Sequence, residues 1–148
     1  ARGVAPQRLI FAPRVPLPAH LGRLAHADLF LDTLHFNAHT TALDALWAGL
    51  PVLSRSGTTM ASRLGSVFVR AAGLEALAVA DPGQYERKAL ELARQPDALR
   101  ALKARLARQL ARCALFDTPA RVGALGRAFR AMIERHGAGL PPDTLIIE

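Results

Sequence analysis

The sequence predicts an α/β fold, a parallel sheet with helices on both faces. Three observations carry this. Short apolar runs alternate with segments of helical periodicity over residues 8–73, the order that successive β–α–β units require. Each run is brief and bounded by Pro or Gly, as buried strands are. Half of the residues are apolar (51%) but only 5% are aromatic, with Ala and Leu dominant, a balance that favours helices around short buried strands. At 148 residues the chain fits one domain with a core of its own.

The elements follow in order. Arg8-Leu9-Ile10-Phe11 is an apolar run closed by Pro13, Pro16 and Pro18, expected to be a buried strand leading into a rigid loop. Pro18 suits the first turn of a short helix, with Leu21 and Leu24 inward and Arg23 outward. Residues 27–32 make the next strand. Leu43, Leu46 and Trp47 recur at three and four residues, predicting a helix over 40–48, ended by Gly49 before a strand at 51–53. A helix over 59–72 closes at Gly73, and 77–79 is a last short strand. Helices follow over 82–93, 96–113 and 119–136, each with a proline at or near its start. The domain is expected to span 1–136, with 137–148 a loose tail. The chain opens on Ala1 and a polar stretch, as expected of a piece of a longer protein.

Ligands of open parallel sheets bind beyond the carboxyl ends of the strands. Three loops therefore matter: 12–19, 33–39 and 54–58. In the second, a strand ends, His39 follows, and Thr40 and Thr41 stand at the mouth of a helix. Unpaired N–H groups and the positive end of the helix dipole face that loop. A phosphate is held there without another cation; equally, Thr40 is an ordinary N-cap. Asp44, one turn on, shares their face, where a carboxylate either accepts from ribose hydroxyls or favours the helix end. His20 and Arg23, three apart, share a face near the first loop: an imidazole for stacking on a base and a guanidinium for its carbonyl edge, or a solvated surface pair. Ser54 to Thr58 joins strand to helix through Gly57, suiting phosphate or a plain turn. Together the loops describe a nucleotide pocket. GxGxxG and GKS/GKT motifs are lacking, which disfavours dinucleotide enzymes and P-loop NTPases.

The formal charge of +7 is nearly all arginine and suggests an anionic partner. Leu99, Leu102, Leu106 and Leu110, with Arg100, Lys103, Arg105, Arg108 and Arg112, form a basic amphipathic helix. Such a helix packs on its own domain or lies on lipid or nucleic acid as a noncatalytic module. No interleaved aromatic platform for single strands accompanies it. The lone Cys113 excludes an internal disulfide and fits a buried structural thiol. No run approaches a membrane span and no secretory signal is visible.

The blocks Arg8-Leu-Ile-Phe-Ala-Pro13, His20 with Arg23, Ala27-Asp-Leu-Phe-Leu-Asp-Thr33, Asn37-Ala-His-Thr-Thr-Ala-Leu-Asp-Ala-Leu-Trp-Ala-Gly-Leu-Pro51, Gly57-Thr-Thr-Met-Ala-Ser-Arg63 and Leu115-Phe-Asp-Thr118 resemble, in order and spacing, the O-linked N-acetylglucosamine transferase family, SPINDLY-like enzymes included. The long block over 37–51 is the most specific. The resemblance implies the Rossmann-like C-terminal half of a GT-B glycosyltransferase, with UDP-N-acetylglucosamine as donor and protein Ser/Thr hydroxyls as acceptor. It places His20 on uracil with Arg23 beside it, His39, Thr40 and Thr41 on the diphosphate, and Asp44 on ribose. It implies no cofactor, no metal, no nucleic-acid partner and a cytoplasmic setting. Partners would be the acceptor protein, an N-terminal catalytic domain holding the base, and upstream helical repeats. Leu17 stands where the family often has a lysine near the ribose. A related bacterial hexosyltransferase using UDP-glucose is the alternative within the class.

Overall fold

The structure, a computed structural model, describes residues 3–147. A 3₁₀ turn at Pro6–Arg8 precedes α1 (Leu17–Leu24), β1 (Phe30–Leu31), α2 (Thr40–Trp47), β2 (Val52–Arg55) and α3 (Leu64–Ala71). A second 3₁₀ turn at Glu75–Leu77 leads into β3 (Ala78–Val79), and α4 (Pro82–Ala93), α5 (Pro96–Leu110) and α6 (Thr118–Gly137) complete the chain. The strands pair in parallel in the order β1-β2-β3, with Phe30 opposite Val52, Leu31 opposite Leu53, Ser54 opposite Ala78 and Arg55 opposite Val79. The expected α/β class is borne out.

Val52, Leu53 and Ser54 are consecutive and fully buried, so β2 is covered on both faces. Right-handed crossovers place α2 and α3 on one face, and these two helices touch. α4 packs on β2 and on α5, closing the other side. Leu46, Leu50, Leu53, Val69, Leu74, Leu77 and Leu106 fill the core between the layers.

α2 and α3 end alike. Gly49 (φ 79°) and Gly73 (φ 71°) adopt left-handed backbone, and Leu50 N–H and Leu74 N–H return to the carbonyls of Ala45 and Val69. This is the Schellman closure, with the following leucine buried under the helix it ends. Each closure delivers the chain back toward the sheet.

Two expectations are corrected. Residues 8–11 form no strand of the sheet among the described residues: the 3₁₀ turn takes Arg8, and Leu9, Ile10 and Phe11 are exposed, with no ladder partner to bury their backbone. The helix foreseen over 59–72 starts only at Leu64. Ahead of it, the Thr59 amide donates to Ser62 Oγ (3.1 Å) and the Ser62 hydroxyl donates to the Thr59 carbonyl (3.1 Å). Such side-chain bonds to local backbone compete with helix.

α5 settles where its leucines go. Leu106 is buried, and Leu99, Leu102 and Leu110 pack against the core. Arg105 faces Glu75 at 3.4 Å, Arg100 pairs with Asp97, and Lys103 donates to the Ala27 carbonyl. No apolar stripe of α5 is left to enter lipid. Cys113 is buried as expected, its Sγ 3.3 Å from the Ala71 carbonyl oxygen.

Candidate functional site

The site is built at the carboxyl ends of β1 and β2, around the loop that runs into α2. Its floor is polar and buried. Asp32, immediately after β1, is 3% exposed. One carboxylate oxygen accepts from the amides of Thr33 (2.8 Å) and Ala38 (2.6 Å), the other from Ser54 Oγ (2.6 Å). A buried carboxylate is tolerable only when so bonded.

Asn37 is the second fixed point, at 1% exposure. Its amide nitrogen donates to the carbonyls of Thr33 (2.9 Å) and Arg55 (3.5 Å), and its oxygen accepts from the Gly65 amide (3.2 Å). One side chain therefore ties the loop, β2 and α3 together. Gly65 allows the approach: a Cβ there would collide with the Asp32 carboxylate and Ser54 Oγ. From α4, the Tyr85 hydroxyl donates to the Asp32 carbonyl (2.8 Å). Burial, and then the nearby Asp32 charge, push the Tyr85 phenol up to about 12.

Above this floor stand the residues expected from the sequence. Thr40 and Thr41 are exposed at the first turn of α2, and Asp44 is half-buried one turn on. No side chain caps the helix. Ala42 and Leu43 donate back to the His39 carbonyl, whereas the amides of His39, Thr40 and Thr41 meet no acceptor among the described residues. Three N–H groups without an acceptor and two exposed hydroxyls thus gather at one helix N-terminus, the arrangement that binds phosphate.

His39 Nε2 lies 3.4 Å from the Ala61 carbonyl oxygen. A carbonyl only accepts, so Nε2 is the donor in this contact. The ring stacks on Phe36, centroids 4.8 Å apart, and the Phe36 carbonyl is pinned by the Thr33 hydroxyl.

His20 and Arg23 share one face of α1, as their spacing requires, and α1 packs on α2. They are bonded to each other, Arg23 Nη2 to His20 Nδ1 at 2.9 Å, and Arg23 Nη1 donates to the Pro13 carbonyl (2.7 Å). Arginine only donates, so His20 Nδ1 accepts and its Nε2 carries the neutral-form proton. Arg23 is therefore half-buried and engaged, where the sequence led us to expect it outward. No hydrogen bond joins this pair to α2 among the described residues.

The third loop is largely self-satisfied. The Gly57 amide donates to the Ser62 carbonyl (2.7 Å), and Arg63 Nη1 occupies the Thr58 carbonyl (2.6 Å). Its groups shape the wall more than they offer donors. Among the described residues no three His, Cys, Asp or Glu converge as metal ligands.

The family model of glycosyl transferase family 41 matches residues 1–125. This chain belongs to glycosyl transferase family 41. Within the family it is 36% identical over 144 residues to the probable UDP-N-acetylglucosamine–peptide N-acetylglucosaminyltransferase SEC of Arabidopsis thaliana, covering 97% of this chain and 15% of that protein. It is 29% identical over 142 residues to the UDP-N-acetylglucosamine–peptide N-acetylglucosaminyltransferase of Caenorhabditis elegans, covering 96% of this chain and 12% of that one. A solved mutant of the Thermobaculum terrenum O-GlcNAc transferase superposes with a TM-score of 0.82 at 36% identity, over 88% of this chain and 25% of that chain. The family 41 chain thus has the GT-B-type α/β architecture expected of it, and it spans only a small part of the relatives it matches.

Proposed function

We propose that this chain is the nucleotide-sugar-binding part of an inverting glycosyltransferase that moves N-acetylglucosamine from UDP-N-acetylglucosamine to Ser and Thr hydroxyls of proteins. The observation that carries the reading is the mouth of α2, with the free amides of His39, Thr40 and Thr41 and the two threonine hydroxyls gathered at the carboxyl end of a parallel sheet. The names of the family relatives support the same donor and acceptor.

In this reading the diphosphate lies on the α2 N-terminus. As the sugar–phosphate bond breaks, negative charge grows on the leaving diphosphate, and donors already aimed at it stabilise that charge without reorganising. The dipole contributes roughly 0.3–1 kcal/mol, up to about 2 where partly buried; direct hydrogen bonds supply the rest. The His39 ring has its Nε2 proton directed at Ala61, so it is the His39 backbone amide that serves the diphosphate. Asp44 accepts from the ribose hydroxyls. His20 stacks on uracil, its ring held at Nδ1 by Arg23. The base that activates the acceptor hydroxyl is assigned to an N-terminal catalytic domain, and the acceptor protein is a separate partner that upstream helical repeats would present. A glucosyl donor is the second reading.

Calorimetric titration with UDP, UMP and ADP tests the proposal. UDP binds most tightly of the three, and Thr41→Ala combined with Asp44→Ala weakens it on the order of tenfold, the loss of one or two charge-assisted hydrogen bonds. Equal affinity for UDP and ADP would sink the base assignment, and an unchanged UDP affinity in the double variant would sink the phosphate and ribose ones.

A further inference from the structure

Arg55 ends β2, at the carboxyl edge of the sheet, with its side chain half-buried. A guanidinium has five N–H donors and does not lose its charge in proteins. Here Nη2 donates to the Leu34 carbonyl at 3.3 Å, while Nε is buried with no partner. Among the described residues no carboxylate lies within ion-pair distance of it. Even partly burying a cation without a counter-charge is unfavourable, and arginine has no neutral form in which to escape.

The surroundings point to what the missing counter-charge is. Leu34 belongs to the same loop that ends in His39 and Thr40, and the main-chain carbonyl of Arg55 is bonded by Asn37, also of that loop. Side chain and main chain thus hold Arg55 against the segment that presents the α2 amides. Those amides offer only partial charges; Arg55 brings a full one, and its burial limits screening by salt.

We propose that Arg55 supplies a positive charge for the diphosphate, acting across the loop at residues 33–39, and that the bound anion is the counter-ion the guanidinium otherwise lacks. This rests on the nucleotide reading above. Its rival is a purely mechanical one, in which Arg55 only braces the Leu34 carbonyl.

The 148-residue chain and its R55K, R55Q and R55M variants are titrated with UDP, uridine and inorganic pyrophosphate, with thermal unfolding run alongside. R55K keeps the charge, and R55Q keeps an amide donor for Leu34 without it. R55Q and R55M are expected to lose on the order of tenfold in affinity for UDP and pyrophosphate, R55K to retain most of it, and uridine binding to stay unchanged. UDP and pyrophosphate bound by R55Q as tightly as by the parent overturns the proposal, as does uridine binding that falls in step with UDP. If pyrophosphate binding depends on Arg55 but UDP binds no better than pyrophosphate, the nucleotide reading fails and the anion role stands. UDP bound better than pyrophosphate by the parent, with neither affinity changed in the variants, gives the reverse, and a parent that binds neither anion removes both.

Discussion

At the scale of single residues, the groups that would touch ligand are exposed or half-buried, and Asp32 and Asn37, which hold them in place, are buried. His39, Thr40, Thr41 and Asp44 were legible in the sequence because a strand, a polar loop and a helix start are local patterns. The structural roles of Asp32 and Asn37 are not local patterns, because they depend on Ser54 and Gly65, more than twenty residues away. A usable sign was present: a carboxylate directly after an apolar strand must find donors when buried. Asn37→Ala strands the Gly65 amide and two carbonyls, so urea unfolding should show a loss of about 2–4 kcal/mol; a loss under about 1 kcal/mol would contradict the staple. Tyr85 is the only tyrosine, so its phenolate absorbance is read without overlap. Its ionisation should centre near 12 in the folded chain, above the ordinary 10.0. Because the folded value is raised, the neutral phenol's contribution to stability is complete below about pH 10 and is lost as pH rises through about 12. A folded-state midpoint at the ordinary value would mean that the Tyr85–Asp32 contact is absent in solution.

At the scale of elements, what the sequence marked with punctuation came out well. α2, β2, β3 and α4 lie where Gly49, Pro51, Gly73 and Pro82 place them. The two failures share a cause. Apolar content at residues 8–11 and helical periodicity over 59–63 are local signals, overridden by whether a ladder partner exists and by the Thr59–Ser62 side-chain bonds. α3 lies close against the sheet at Gly65. Gly65→Ala inserts a methyl between the Asp32 carboxylate and Ser54, and should lower stability by about 1–3 kcal/mol through overpacking, read as a shift in the urea midpoint at constant slope. No change would mean that α3 sits farther from β1 than described.

At the scale of the whole molecule, the chain divides into a sheet-centred core and a long final helix that adds little to it. No residue of α6 is fully buried, and Val122, Leu125, Phe129, Met132 and Ile133 are exposed along it. Arg135 reaches from the helix to the Pro141 carbonyl (2.6 Å) and to Asp143 (3.3 Å), so the following segment folds back on it. A chain ending at Asp117 should therefore melt within roughly 4 °C of the parent, the shift that about 1 kcal/mol produces at this size, and bind less of a hydrophobic dye. A larger fall would show α6 to be part of the cooperative unit.

The Asn37 amide has a further meaning for how fast a ligand is captured. With the loop, β2 and α3 joined at one side chain, the three α2 amides stand in place before anything arrives. In the proposed reading, capture then requires no reordering of backbone, so the association rate is governed by diffusion and charge, and residence time carries the differences among ligands.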